Sequence, residues 1–143
     1  NRDRFNLSDS DYSMLYRERS ILPRESEYPS FPDYDKYYDG YCKFFLFGDT
    51  KTRIPDNIKI FNKIGLAYGF TIDNAYIVDL QNDVEFFLTA VIYSNSNEVM
   101  NDNVYDYEDI SIPFLSKLGR AIYSYELKRE KNQLPNLGWV QNL

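Results

Sequence analysis

The chain contains no histidine at all and a single cysteine, Cys42. The first absence removes Ser-His triads, histidine metal ligands and histidine pH switching, so any proton transfer must fall to Lys, Tyr, Asp or Glu. The second removes an internal disulfide and every cysteine-cluster metal site. Long apolar runs are missing too: the longest, Phe86 to Tyr93, has the length of a strand and falls far short of the roughly 20 residues that cross a bilayer. Basic residues are in the minority, 16 against 22 acids, for a formal charge of -6. They are also interleaved with the acids, which excludes a sequence-independent nucleic-acid binder and disfavours anionic membrane surfaces. The chain starts at Asn1 with neither an initiator Met nor an apolar export segment, so any targeting signal is expected upstream; no repeat is visible, and no low-complexity tract interrupts the chain. The 143 residues, 43% hydrophobic and 27% charged, suffice for one domain with a core of its own.

What is present begins with a helix signal. Ser8 followed by Asp9 and Asp11 has the form of an N-cap with acids in the first turn, and Tyr12, Leu15, Tyr16 and Arg19 follow at helical spacing until Pro23 ends the run. Pro23, Pro29 and Pro32 then mark an irregular connection. A second helix is expected from about Asp33 to Phe47, with the stripe Tyr34, Tyr37, Tyr38, Tyr41, Phe45 and Gly48 as its stop. That stripe reads as packing with phenol groups reaching water, and Cys42 on the same helix as a small packed side chain.

After the turn residues Ile54-Pro55-Asp56-Asn57 the period changes to two. Ile58, Ile60 and Ile64 face one way and Lys59, Phe61 and Lys63 the other. A connection holding Gly65 and Gly69 leads to a strand from about Phe70 to Leu80. Gln81-Asn82-Asp83 makes a tight turn, and Val84 to Tyr93 forms a third strand of an antiparallel meander. Because the third strand is apolar on both faces, helices are expected above and below it. An Asn- and Asp-rich loop, Ser94 to Asp106, precedes a last helix from about Glu108 to Lys131, with Pro113 in its first turn and Phe114, Leu115, Leu118, Ala121, Ile122 and Tyr125 as its buried stripe. The acids Asp102, Asp106, Glu108 and Asp109 lack the glycine and spacing of a calcium loop and read as a helix-start cluster. The expected organisation is one α+β domain: a helical part over 1–57, a three-stranded sheet packed against a long C-terminal helix over 58–131, and a tail over 132–143.

The triplet Lys63-Ile64-Gly65 ends the first of these strand signals. With Thr71-Ile72-Asp73-Asn74-Ala75-Tyr76-Ile77-Val78 on the next strand and the final helix behind it, the segment from Ile58 to Tyr125 resembles the C-terminal portion of the class A β-lactamase and penicillin-binding-protein superfamily. There a strand ending in Lys-Thr/Ser-Gly precedes two antiparallel strands and a helix. The resemblance implies a partial β-lactamase/transpeptidase-like fold and an acyl-enzyme mechanism on an amide or ester, β-lactam or peptidoglycan-like, with no metal or cofactor. Lys63 would supply positive charge beside the nucleophile, Gly65 a close backbone approach, and the Leu66 N–H one donor of an oxyanion hole.

Two departures accompany the match. Ile64 stands where the superfamily has a hydroxyl, and no serine is followed by lysine three residues later, so the Ser-x-x-Lys nucleophile is missing. The chain by itself is therefore expected to be inactive. Its expected partners are the upstream half of the same hydrolase domain and a small-molecule or peptide substrate, with a homodimer through an uncovered sheet edge, and its location the periplasm or cell envelope by resemblance. A non-catalytic envelope binding module with a degenerate hydrolase fold is the competing reading, and a stand-alone interaction domain the third.

Overall fold

A computed structural model describes residues 4–141 and 143; residues 1–3 and 142, at the ends of the expected helical part and tail, lie outside the described residues. The architecture is α+β. Helix α1 (Asp9–Ser20) is followed by 3-10 turns at Pro23–Glu25 and Asp39–Cys42, then a single helical turn α2 (Phe44–Phe47). Strands β1 (Ile58–Ala67), β2 (Phe70–Asp79) and β3 (Val84–Tyr93) form the sheet, and helix α3 (Ile112–Glu126) closes the sequence of elements. Among the described residues no helix is long and apolar enough to cross a membrane.

The start of α1 follows from its cap. The Ser8 side chain accepts from the Asp11 N–H, while the Asp11 carboxylate accepts from the Ser8 N–H and hydroxyl. Such a box satisfies otherwise orphaned donors and is worth about 1 kcal/mol.

The sheet is antiparallel in the order β1-β2-β3, so β1 and β3 both lie at edges. The β1–β2 hairpin turns on Tyr68 and Gly69, both at positive φ (52° and 87°), as a two-residue connection between right-twisted strands requires. Gly65 therefore lies inside β1, opposite Ile72, and not in the connection as expected. Alternation sets two faces. The inner face carries Ile58, Ile60 and Ile64 with Ala75 and Ile77, packed against Phe44, Phe45, Leu46 and Leu115. The opposite face is covered only at one end, where Tyr16, Phe61, Val78, Leu137 and Val140 form a second cluster and Trp139 sits among the rings of Tyr16, Phe61 and Tyr76. Along β3 on that face Phe87, Val91 and Tyr93 are exposed, so the helix expected above β3 on that side is not found among the described residues.

The expected helix over 33–47 does not form. Asp39 is wholly buried, held by Arg24 and by the Ile54 N–H, and Gly40 lies so close to Phe47 that a Cβ would fall 2.0 Å from its carbonyl oxygen. Phe45 (ψ 138°) and Leu46 (φ 69°) are non-helical. The tyrosines instead rim a folded-back loop: the Tyr34 hydroxyl donates to the Lys51 carbonyl, that of Tyr38 to the Gly48 carbonyl, and Tyr37 and Tyr41 meet edge to face. Gly48 does follow the last turn, but with right-handed backbone. Its need is space, since a Cβ there would come 2.8 Å from Ile112.

The last helix is also rotated and shorter than its pattern suggested. A wide turn at Tyr107–Ser111 leads into α3, Phe114 and Tyr125 are exposed, and the buried residues are Leu115, Ser116, Gly119 and Glu126. Polar anchoring decides this. The Ser116 hydroxyl donates to the Phe44 carbonyl and accepts from the Asp49 N–H, Arg120 makes a two-pronged pair with Asp49, and Gly119 lets Leu46 approach.

Candidate functional site at the free edge of strand β1

Hydrogen-bond parity determines what the β1 edge offers. Along an antiparallel pair, each residue points both its N–H and its C=O either toward its neighbour strand or away from it, alternately. The Leu80 N–H donates to the Asn57 carbonyl, and the Ser94 N–H to the Gly69 carbonyl. With the register Gly65↔Ile72 and Leu66↔Thr71, Lys59, Phe61, Lys63, Gly65 and Ala67 bond inward to β2. Ile60, Asn62, Ile64 and Leu66 present their backbone groups to the free edge.

The three residues singled out by the sequence therefore sit together with distinct orientations. Lys63 is exposed on the opposite face beside Asn74, and its Nζ donates to the Ile64 carbonyl at 2.6 Å. Gly65 leaves a gap over Ile72, whose Cγ2 is 2.8 Å from where a Cβ would be. Leu66 is half-exposed and its N–H faces outward. Ile64 turns its side chain to the inner face and packs against the core, so no hydroxyl stands at the edge there.

Next to this edge runs an open groove of about 410 Å³, lined among others by Arg19, Cys42, Lys43, Asn62, Lys63 and Ile64. Its floor is a buried polar chain. Lys43, 2% exposed, donates from Nζ to the Arg19 carbonyl and to the Asn62 side-chain oxygen, both at 2.8 Å. Asn62 passes the chain on through Nδ2 to the Cys42 carbonyl and to Asp73, both at 2.9 Å, and Asp73 accepts the Phe45 N–H. Among the described residues Lys43 forms no ion pair. Burial pushes its ammonium down to about 8 and pushes the Asp73 carboxyl up; the Cys42 thiol is raised for the same reason, which leaves it inert at neutral pH.

Lys43 was not among the expected site residues. The signal was there as a lone charge inside the apolar run Cys42 to Phe47, a placement that demands burial with partners or a function. Asp73 and Asn74, part of the quoted second-strand pattern, divide between faces. Asp73 anchors the floor, while Asn74 accepts from the Thr89 hydroxyl next to Lys63. The acids at 102–109 work as loop anchors: Asp102 accepts from Val104 and Asn97, and Asp106 from Ser96. Among the described residues no group of His, Cys, Asp and Glu could hold a metal ion. Comparison with protein-family models, curated proteins and solved structures finds no match to this chain.

Proposed function

We propose that the β1 edge is one wall of an acyl-transfer site in a serine hydrolase of the class A β-lactamase and penicillin-binding-protein type, and that the fold is the corresponding part of that architecture. The substrate is an amide or ester of the β-lactam or peptidoglycan-peptide class. The observation that carries this reading is the outward Leu66 N–H, held one residue beyond a side-chain-free Gly65 and beside the exposed Lys63. When a serine oxygen attacks the acyl carbon, the carbonyl oxygen gains negative charge. A fixed N–H aimed at that oxygen stabilises it by about 3 kcal/mol, and the Lys63 ammonium favours an acidic substrate.

The nucleophile comes from another stretch of polypeptide, the upstream half of the domain, carrying Ser-x-x-Lys. Its docking surface is the uncovered part of the opposite face, where exposed Ile72 lies across from Gly65. These 143 residues alone are inactive, and the whole protein works in the periplasm or cell envelope. Covalent labelling tests the reading. In the protein extended upstream of Asn1, a fluorescent penicillin or a broad serine-reactive probe labels the serine, and Lys63→Ala lowers that labelling. A folded extended protein that no serine-reactive probe labels overturns it.

A second reading, a non-catalytic envelope binding module, draws on Ile64. Its side chain is committed to the core where a substrate-binding hydroxyl is wanted. Under that reading the extended protein binds ligand but no serine-reactive probe labels it.

A further inference from the structure

The strand β3 is built like an interior strand but lies at an edge. The same hydrogen-bond parity that orients β1 makes Val84, Phe86, Leu88, Ala90 and Ile92 bond inward to β2, and leaves the backbone groups of Glu85, Phe87, Thr89, Val91 and Tyr93 pointing away from the sheet. Those five residues are exposed, Phe87 at 80%. Edge strands ordinarily protect themselves with lysine, proline, bulges or short length. Strand β3 has ten residues without Lys, Arg, Pro or Gly, whereas β1 carries Lys59, Lys63 and Gly65.

We propose that the β3 edge pairs antiparallel with the β3 edge of a second copy of this chain, about a twofold axis through Thr89, joining the two sheets into one. The sequence fits its own reverse in this register. Thr89 is the midpoint of the five outward-pointing residues, so an axis there pairs all of them through backbone hydrogen bonds. On the opposite face Phe87 meets Val91 of the second copy, an aromatic and β-branched pair of the favourable kind, and Glu85 meets Tyr93. On the inner face Leu88 meets Ala90 and Phe86 meets Ile92. The only charge on the strand, Glu85, faces a tyrosine, whereas in-register parallel pairing would set Glu85 beside Glu85. Moving the axis to Phe87 or Val91 leaves part of the edge unpaired. The dimer uses none of Lys63, Gly65 and Leu66 and stands or falls apart from the acyl-transfer reading.

The test is the mass of the 143-residue chain in solution, in a Cys42→Ser background. Light scattering or sedimentation across micromolar concentrations gives twice the chain mass, and Thr89→Pro, which deletes an outward N–H while leaving every β2–β3 backbone bond in place, returns it to the monomer mass with an unchanged circular dichroism spectrum. A wild-type monomer throughout that range overturns the proposal, as does a dimer that persists in folded Thr89→Pro. The register has its own readout that does not depend on the proline variant folding. When Phe87→Cys and Val91→Cys chains are mixed and oxidised, the mixed disulfide exceeds either homodimer several-fold; equal yields of all three overturn the register.

Discussion

The two edges of this sheet are made of the same kind of strand and are treated in opposite ways. At β1 the chain spends buried polar groups near the edge: Lys43 ties the end of α1 to Asn62, and Asn62 and Asp73 hold the Cys42–Phe45 segment, while Lys63 and Leu66 stay exposed. At β3 nothing among the described residues covers the edge, and its exposed side chains include Phe87, Val91 and Tyr93. An edge anchored by a costly network and left open only over a short window suits the small-ligand reading proposed above. One that is bare and carries a single charge, Glu85, is suited to another strand.

The contrast breaks most severely at Asp73. Asp73→Ala leaves one Asn62 amide hydrogen and the Phe45 N–H unpaired and removes the negative charge nearest the buried Lys43 ammonium, and should cost about 3 kcal/mol, read as a lowered denaturant midpoint. The same loss at the β3 edge, as in Thr89→Pro, should change stability of the monomer far less, because no inward backbone bond is removed and the one side-chain bond lost, to Asn74, is exposed.

Lys43 gives the next effect, and its sign is opposite to that of an ion pair. Its folded pKa of about 8 lies below the unfolded lysine value of about 10.4, so between those values the unfolded chain binds more protons than the native one. Stability therefore rises with pH from 8 toward 10, by about 2 kcal/mol. Below pH 8 the full cost of burying the charge is present. The positively charged groups near it are Arg19 and, along the groove, Lys63; the acids are Asp73, Glu25 and Glu18, with the Cys42 thiol adjacent. Above pH 10 the trend reverses, because hydrogen bonding and burial hold the Tyr123 hydroxyl up to about 12 and raise Tyr76 as well. Lys43→Met removes the rise between pH 8 and 10, and the loss of the donor to the Asn62 side-chain oxygen and the Arg19 carbonyl offsets the relief from no longer burying a charge. Chemical denaturation at several pH values checks both statements.

A smaller effect is expected at Gly65. Gly65→Val must displace Ile72 and should cost about 1 to 2 kcal/mol by overpacking, seen as a lower thermal midpoint. Lys63→Ala marks the bottom of the scale. Its side chain is exposed and its one bond is to the neighbouring carbonyl, so stability changes by less than about 0.5 kcal/mol, which makes it a clean probe of function.

The meander was readable because alternation, turn residues and strand length all point the same way over Ile58 to Tyr93, and the third strand runs over the residues expected. The α1 start was readable because the Ser8–Asp11 box is local. What failed was set by distant contacts. The tyrosine stripe over 34–41 has helical spacing, yet Asp39 is pulled into the core by Arg24 and Ile54, an interaction no local pattern announces. In α3 the apolar residues Phe114 and Tyr125 suggested one face, but Ser116 and Gly119 form the contact because the Phe44–Asp49 backbone needs a donor and room. For the site, Lys63, Gly65 and Leu66 were legible as a motif, whereas the outward direction of the Leu66 N–H depends on the register with β2, and the Lys43 floor on a loop that was read as helix.

Leu66→Pro tests the central claim most directly. Its N–H points away from the sheet, so proline removes the proposed oxyanion donor while leaving the β1–β2 ladder intact. In the protein extended upstream to include Ser-x-x-Lys, the account predicts that Leu66→Pro slows acylation by a fluorescent penicillin by about 100-fold or more with the thermal midpoint little changed. Acylation at the wild-type rate in a folded Leu66→Pro protein would contradict it.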